Sequence, residues 1–411
     1  MEDYEVFDVE DLNEFLEELD KQESSSNHNI ISDLEIDGID SEGKWGITSI
    51  EHDTIEEDMF RKITLYDLFR KRRGYLNVTD LVSPLWCEVQ QDYYLTKKLK
   101  KTSPQMIKGS SVHQHLEYET TPPTGRILLN KYSKEEPWAL KILKQIEGLH
   151  QLYMNGITRE FPIWGFYKDS LVMGIIDEIS LSQQGAITKE PRDIRDFWLP
   201  AAKDIYFTDN KTRFSNTRPS DSQIYQSKIQ VMYYAHLFLH YFPSLNLKST
   251  QPLYAKPNER DKKTLEIPWL NSFYKSLNLD GSKDLGTEFL EQSIRTIPII
   301  PEDEFRNNNS LHGLYKISSK IARRLRLNIS DKNLGIAYWN PRTQQLSYVE
   351  KFDYEPIALE DCYNRTNSFW RTMRDPVGVP PNEVFKCRSC EFRDECWWLQ
   401  KKQTLPFHTN N

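Results

Sequence analysis

Two stretches decide the fold: SLVMGIIDEISLS at residues 170–182 and AKDIYFTDNKTR at 202–213. Both are short, rich in β-branched and aromatic residues and bounded by polar segments, so both read as strands. The apolar run of the first ends in Asp177; the second presents Asp209 with Lys211 two residues later. Side chains alternate along a strand, so Asp209 and Lys211 share a face and open into one pocket. Breaking a phosphodiester calls for divalent metal to polarise the phosphate and activate water, and hard cations take carboxylate oxygen. A lone D-x-K triplet arises often on solvated strand edges. An acid that closes a buried apolar strand is rarer, and the two together make Asp177, Asp209 and Lys211 a candidate metal-dependent catalytic centre, in which the lysine positions water or stabilises developing negative charge.

Working outward, TREFPIWGFYKD (158–169) reads as a preceding strand with a turn at Tyr167-Lys168-Asp169, and QQGAITKEPRDIRDFWLP (183–200) as a polar loop. Helical periodicity covers 103–119, 134–156, 220–242, 316–327 and 355–375, and a further helix is expected to start after Ser83-Pro84 with Cys87 near its beginning. LGIAYWNPRTQQLSYVEKFDY (334–354) reads as a hairpin. Strands interleaved with helices predict an α/β protein with a mixed central sheet flanked by helices. Segment 244–310, polar and proline-bearing, is expected to be an elaborated loop or insertion.

Net charge is −8, but residues 1–60 carry 21 acids against two lysines, leaving 51 basic and 40 acidic residues in 61–411. The head reads as a disordered, solvated tail; its interleaved Phe7, Leu12, Phe15 and Leu16 also suit a short helix that binds a protein partner or autoinhibits. The basic body suits a polyanion. No run of eighteen apolar residues is present, and the N-terminus has neither a secretory core nor the look of a mitochondrial presequence, so a soluble intracellular monomer without membrane attachment is expected.

Five cysteines in such a chain argue against a disulfide framework. FKCRSCEFRDECWW (385–398) holds Cys387, Cys390 and Cys396 as C-x2-C-x5-C, three sulfur ligands that need a fourth. Cys87 is the first candidate and Cys362 the competitor. Spacing alone leaves zinc and an iron–sulfur cluster equal.

The helices flanking the strands add Gly109, His113 and Glu117, four apart on one helical face, and Gln230 with Tyr234 one turn apart on another. Taken singly, such residues are more often core or surface. In order, however, GxxxHxxxE (109–117), ExxxxG (Glu160 to Gly165), GxxDE (Gly174 to Glu178), DxKTR (Asp209 to Arg213) and QxxxY (Gln230 to Tyr234) resemble the signature of RecB-type nucleases. The resemblance implies a PD-(D/E)xK, restriction-endonuclease-like core. It implies that His113, Asp177 and Asp209, with the Asn210 carbonyl, hold Mg²⁺ or Mn²⁺, that Lys211 is catalytic, and that Gln230 and Tyr234 support the centre. Glu117, Glu160, Glu178 and Arg213 fall within the motifs without an assigned role.

With the upstream Cys87 and C-x2-C-x5-C bracketing these motifs, the chain most closely resembles the eukaryotic exonuclease V family, from about residue 62 to about 402. That resemblance implies a 4Fe-4S cluster on Cys87, Cys387, Cys390 and Cys396, a C-terminal staple tying chain start to chain end, and a single-strand-specific DNA exonuclease that loads at a 5′ end, releases short oligonucleotides and serves DNA repair or mitochondrial DNA maintenance. Asp209 departs from the Glu of many relatives. Aromatics and the basic stretches 61–73, 97–101 and 320–326 are the candidate contacts to single-stranded DNA. The nucleus is the expected compartment, with the mitochondrion as the alternative. The rival function is a non-catalytic nucleic-acid-binding protein whose four cysteines hold a structural zinc.

Overall fold

The structure, a computed structural model, describes residues 63–97, 112, 116, 127, 132–182, 191–197, 199, 201–215, 217–243, 245–248 and 268–403. The chain divides into Met1–Ile63 and Thr64–Asn411, and the elements below belong to the second unit. The acidic head, His113 and Glu117 lie outside the described residues, although their neighbours Val112 and Leu116 are helical and buried.

Among the described residues, seven strands form one mixed sheet: β1 (Leu76–Asn77), β2 (Ile157–Tyr167), β3 (Ser170–Leu181), β4 (Lys203–Thr212), β5 (Asn246–Lys248), β6 (Leu327–Asn340) and β7 (Gln345–Phe352). The spine runs β1-β3-β4-β6-β5, with β2 also on β3 and β7 also on β6. β2, β3 and β4 pair antiparallel, whereas β6 lies parallel to both β4 and β5. The β2–β3 hairpin turns where expected, with Lys168 at φ 52°. Both strands are buried along most of their length because helices cover them.

The longer helices outside segment 244–310 include α1 (Val78–Trp86), α2 (Glu88–Thr96), α3 (Glu136–Asn155), α4 (Asp221–Tyr241), α5 (Leu311–Arg324) and α6 (Pro356–Trp370), of which α1, α3 and α4 pack on β2 and β3. α3 stops at Gly156, whose φ of 73° is the left-handed cap that glycine adopts without strain. α4 carries Ile224, Ile229, Val231, Phe238 and Tyr241 into the core, and α1, β2 and β6 pack against it.

Two expectations change. The helix expected to begin after Ser83-Pro84 begins at Val78, with Pro84 inside it. A proline there cannot donate to the carbonyl of Asp80 four residues back, and the indole N–H of Trp370 donates to that carbonyl instead, at 2.9 Å. The helix ends two residues later. Cys87, extended at φ −168°, ψ 116°, then caps α2 rather than lying within a helix, and its Sγ accepts the Gln90 amide. The described part of 244–310 is likewise more than loop: it adds β5 and three short helices, Pro268–Ser276, Thr287–Thr296 and Glu302–Asn307, whose Leu270, Phe273, Phe289 and Phe305 join the main core.

Candidate active site and cysteine chamber

Asp177 and Asp209 arrive from adjacent strands. The carboxylate Oδ2 of Asp177 accepts the Asn210 amide N–H at 2.8 Å, which ties β3 to β4 just beyond the Glu178–Thr208 end of their ladder. Asp209 is fully buried, and its Oδ1 accepts from Lys211 Nζ at 2.8 Å. Lys211 Nζ also stands 3.4 Å from Gln230 Oε1, and Gln230 Nε2 donates to the Tyr234 hydroxyl at 2.8 Å. Strand alternation and one helical turn thus bring together all five residues expected at the catalytic centre. Burial works against charge on Lys211, but the Asp209 and Asp177 carboxylates outweigh it and raise the lysine pKa, so the amine stays an ammonium. Burial foremost, reinforced by Asp177 and Asp209, holds the Tyr234 phenol far above its usual range and neutral. Gly174 makes the phenol's seat: a Cβ there would lie 2.7 Å from the Tyr234 ring and 2.8 Å from Val78.

The remaining motif residues take different places. Glu160 stands opposite Asp177 in the β2–β3 register but drops out of the pairing, at φ 50°, a left-handed geometry that costs a non-glycine residue about 1–3 kcal/mol and clusters at functional sites. Its charge adds to that of the aspartates on Tyr234. Glu178, one residue past Asp177, points to the other side of the sheet and pairs with Arg159 at 3.2 Å, so it is a structural ion pair. Arg213 braces the loop after β4 to the start of α4 through the Thr217 carbonyl at 3.1 Å and Gln223 at 3.3 Å. Asn210 turns its side chain away from the lysine, and its Oδ1 accepts from the Trp339 indole at 2.8 Å.

Sequence reasoning passed over Tyr338, which pairs with Lys211 across β4 and β6 beside a register shift in the β6–β7 ladder. Burial, with the Asp209 charge, pushes this phenol up to about 12. Only the parallel β4–β6 register, which no local pattern announces, could have revealed it.

Cys87, Cys387, Cys390 and Cys396 line one small cavity with Gln90, Tyr93 and Phe392. No disulfide joins them. Burial raises the Cys87 and Cys387 thiols, and the neighbouring sulfurs add to it. Gln90 donates through its backbone to Cys87 at 3.4 Å and through its amide to Cys390 at 3.5 Å, orienting both sulfurs. Cys362, the competitor, stands elsewhere on α6 and pairs with the Tyr225 hydroxyl at 2.8 Å. Chain start and chain end are joined beside the chamber: Tyr93 stacks on Phe392 with ring centroids 5.0 Å apart and donates to the Glu395 carbonyl. Glu88, which the sequence did not single out, has a fully buried carboxylate held by Arg365 at 3.1 Å, Arg374 at 2.6 Å and the Val377 amide at 2.8 Å.

Among the described residues no three His, Cys, Asp or Glu side chains are disposed around a single ion. His113 lies outside them, and the four thiols line one chamber. The donor chemistry fits both expected groups: two carboxylates and a backbone carbonyl suit a hard divalent cation, and four thiols around one cavity suit a thiolate-held centre. Of the basic stretches expected to meet DNA, residues 61–62 and 98–101 lie outside the described residues, and several of the others are engaged in the fold. Arg70 and Arg73 clamp Asp80 at 2.7 and 2.8 Å, Lys97 pairs with Glu395, Lys320 pairs with Glu304, and Arg324 donates to the Ile194 carbonyl.

Compared with known proteins, residues 65–399 match the family described as Exonuclease V, a 5′ deoxyribonuclease. The chain is 23% identical over 354 residues to a protein of Danio rerio named Exonuclease V, covering 82% of this chain and 73% of that one.

Proposed function

Because the chain belongs to the Exonuclease V family, we propose that it is a metal-dependent, single-strand-specific DNA exonuclease with a PD-(D/E)xK core, loading at a 5′ end and working in DNA repair. The observation that carries this reading is the convergence of Asp177, Asp209 and Lys211, with Gln230 and Tyr234 behind the lysine.

Asp177, Asp209 and the Asn210 carbonyl would hold Mg²⁺ or Mn²⁺, with His113 as a further donor. The ion supplies Lewis-acid polarisation of the scissile phosphate and of the attacking water. The protein's own groups do the rest. Lys211, kept protonated by the two aspartates, sets a fixed positive charge where negative charge builds on the phosphoryl oxygens, and it needs no reorganisation at that moment. Gln230 holds the ammonium in register through its carbonyl oxygen, and the neutral Tyr234 hydroxyl fixes which end of the Gln230 amide faces the lysine. Water attacks phosphorus and gives up a proton to solvent, the P–O bond to the leaving nucleotide breaks, and that oxygen takes a proton from solvent.

Cys87, Cys387, Cys390 and Cys396 would carry a 4Fe-4S cluster. The same four thiols around one cavity would also suit a structural zinc; the chain's resemblance to the exonuclease V family favours the cluster. Its role is structural, as the interactions of α2 with the 387–396 loop already tie the chain ends together.

The test is cutting of end-labelled single strands by the purified chain, with Mg²⁺ and with chelator, on linear and circular strands of equal length. Cutting of the linear strand that chelator stops is expected. Cutting unaffected by chelator would refute the metal site, and efficient cutting of the circle would refute end loading.

A further inference from the structure

We infer that Tyr338 is a positioning residue of the proposed catalytic centre: its phenol oxygen is the acceptor to which Lys211 turns when a divalent cation draws on Asp209. This rests on the metal-dependent reading above.

The pairing of Lys211 with Asp209 is one that a cation must weaken. Asp209 Oδ1 accepts from Lys211 Nζ at 2.8 Å, and the same carboxylate is a proposed ligand of the cation. Two positive centres on one carboxylate repel each other, so the ammonium is held less strongly once the cation is bound. An ammonium carries three N–H donors. Gln230 Oε1, at 3.4 Å, is its other acceptor, and the Tyr234 hydroxyl keeps that amide in place. A lysine loosened from Asp209 therefore stays near Gln230 and needs a new acceptor beside it.

Tyr338 meets that need. It pairs with Lys211 in the parallel β4–β6 register, so the two side chains leave the same face of strands about 4.8 Å apart. Its hydroxyl is buried with no hydrogen-bond partner among the described residues. Nearly all buried polar groups have a partner, and an exception calls for an explanation. Burial, with the Asp209 charge behind it, keeps the phenol neutral, and a neutral phenol oxygen accepts as well as donates. The ring is fixed from the other side: Tyr348 pairs with Tyr338 at 6.1 Å between centroids, and the β6–β7 ladder then passes over Ser347 before it resumes at Trp339 and Leu346. Bulges of this kind occur beside active sites, where they re-aim a side chain. Glu350 offers no substitute, because it is two strands from Asp209 and already holds Arg218, Lys228 and the Tyr348 hydroxyl.

Tyr338→Phe keeps the ring and removes the oxygen. Without metal the variant should melt at or above the wild-type temperature, since the hydroxyl has no partner to lose; a lower melting temperature would reveal a bond within the free fold and overturn the inference. The dissociation constant of Mg²⁺, read from the rise of melting temperature with Mg²⁺ concentration, should increase about ten-fold, the lower end of what a hydrogen bond to a charged group contributes. In a Lys211→Ala background, Tyr338→Phe should leave that constant unchanged, because the hydroxyl acts only through the lysine. On single strands Tyr338→Phe should lower kcat by up to about 10²-fold with KM unchanged, the scale on which a catalytic group misplaced by about 1 Å is felt. Wild-type Mg²⁺ affinity or wild-type kcat in Tyr338→Phe would overturn the role of Tyr338, as would an equal shift in the Lys211→Ala background. A wild-type chain whose melting temperature Mg²⁺ does not raise would instead overturn the metal site of the proposed function, and the role of Tyr338 with it.

Discussion

The Oδ2 atom of Asp177 accepts the amide N–H of Asn210 at 2.8 Å, so the first acid of the site holds in place the strand that carries the second. Structure and chemistry are therefore coupled at Asp177, and two substitutions separate them. Asp177→Asn keeps an acceptor for the amide and removes the charge; Asp177→Ala removes both. Both should lower cutting by at least about 10²-fold, the scale on which loss of one transition-state stabiliser is felt. Only the alanine variant should also lose about 1–3 kcal/mol of stability, because a buried N–H is left without its partner. Rates on end-labelled strands and thermal melts give the two readouts. Near-normal cutting by Asp177→Asn would remove Asp177 from the metal site.

Lys211 is the counter-charge of a fully buried Asp209 and of its neighbour Asp177. Lys211→Ala should cost about 2–3 kcal/mol, less than the loss of a partner from a fully buried ion pair, because the lysine side chain is 35% exposed. A divalent cation on the two aspartates would supply the counter-charge they have lost, though not where the ammonium stood, so Mg²⁺ should raise the melting temperature of the variant more than that of the wild type. Activity should stay low at any Mg²⁺ concentration, since the ion does not replace the ammonium's position. Equal stabilisation of both proteins by Mg²⁺ would mean that it does not bind at the aspartates.

The strand of the candidate catalytic centre was legible because its information is local: alternation puts Asp209 and Lys211 on one face, and a helical turn puts Gln230 beside Tyr234. The cysteine spacing was legible for the same reason. What escaped depends on long-range register and on compensation across the chain. Pro84 reads as a helix start until Trp370 is seen to satisfy the carbonyl that proline leaves without a donor. Tyr338 reads as one strand aromatic among many until parallel pairing sets it beside Lys211. Glu88 reads as an ordinary first-turn acid until Arg365, Arg374 and the Val377 amide, nearly three hundred residues away, are found around it. The cationic stretches mislead in the opposite direction, because an arginine run looks alike whether it faces a phosphate or, as at Arg70 and Arg73, a buried aspartate.

Glu88 and Asp80 together make the fold sensitive to acid. Burial opposes the charge of Glu88, but hydrogen bonds from Arg374, Val377 and Arg365 prevail and hold its pKa below the usual carboxylate range; Arg70 and Arg73 do the same for Asp80. A carboxylate depressed in the folded state contributes stability that is present above its unfolded pKa of about 4.3 for Glu or 3.9 for Asp, and that is lost as pH falls through the folded value. Stability should therefore decline below about pH 4. Glu88→Gln should cost about 2–3 kcal/mol at pH 7, less than a fully buried pair because both arginines keep contact with water. Its stability should also depend less on pH in the acid range. Chemical denaturation between pH 7 and pH 3 gives both quantities, and parallel curves for variant and wild type would contradict the role assigned to Glu88.

The cysteines divide by environment. Cys87 shares its chamber with three other sulfurs, while Cys362 sits on α6 bonded to the Tyr225 hydroxyl at 2.8 Å. Cys87→Ala should abolish iron binding and the broad absorption near ~400 nm expected of thiolate-held iron–sulfur centres. Cys362→Ala should keep both and lose about 0.5–1.5 kcal/mol, the net contribution of one hydrogen bond. Glu88→Gln adds a third arm, because Glu88 ties the start of α2 to Arg374 and Val377 without touching sulfur. If the chamber is held shut by the protein as well as by the cluster, Glu88→Gln should retain iron after purification yet release it faster to a chelator. Iron retained by Cys87→Ala and lost from Cys362→Ala would move the fourth ligand to α6, and with it the chain segment that the centre fastens.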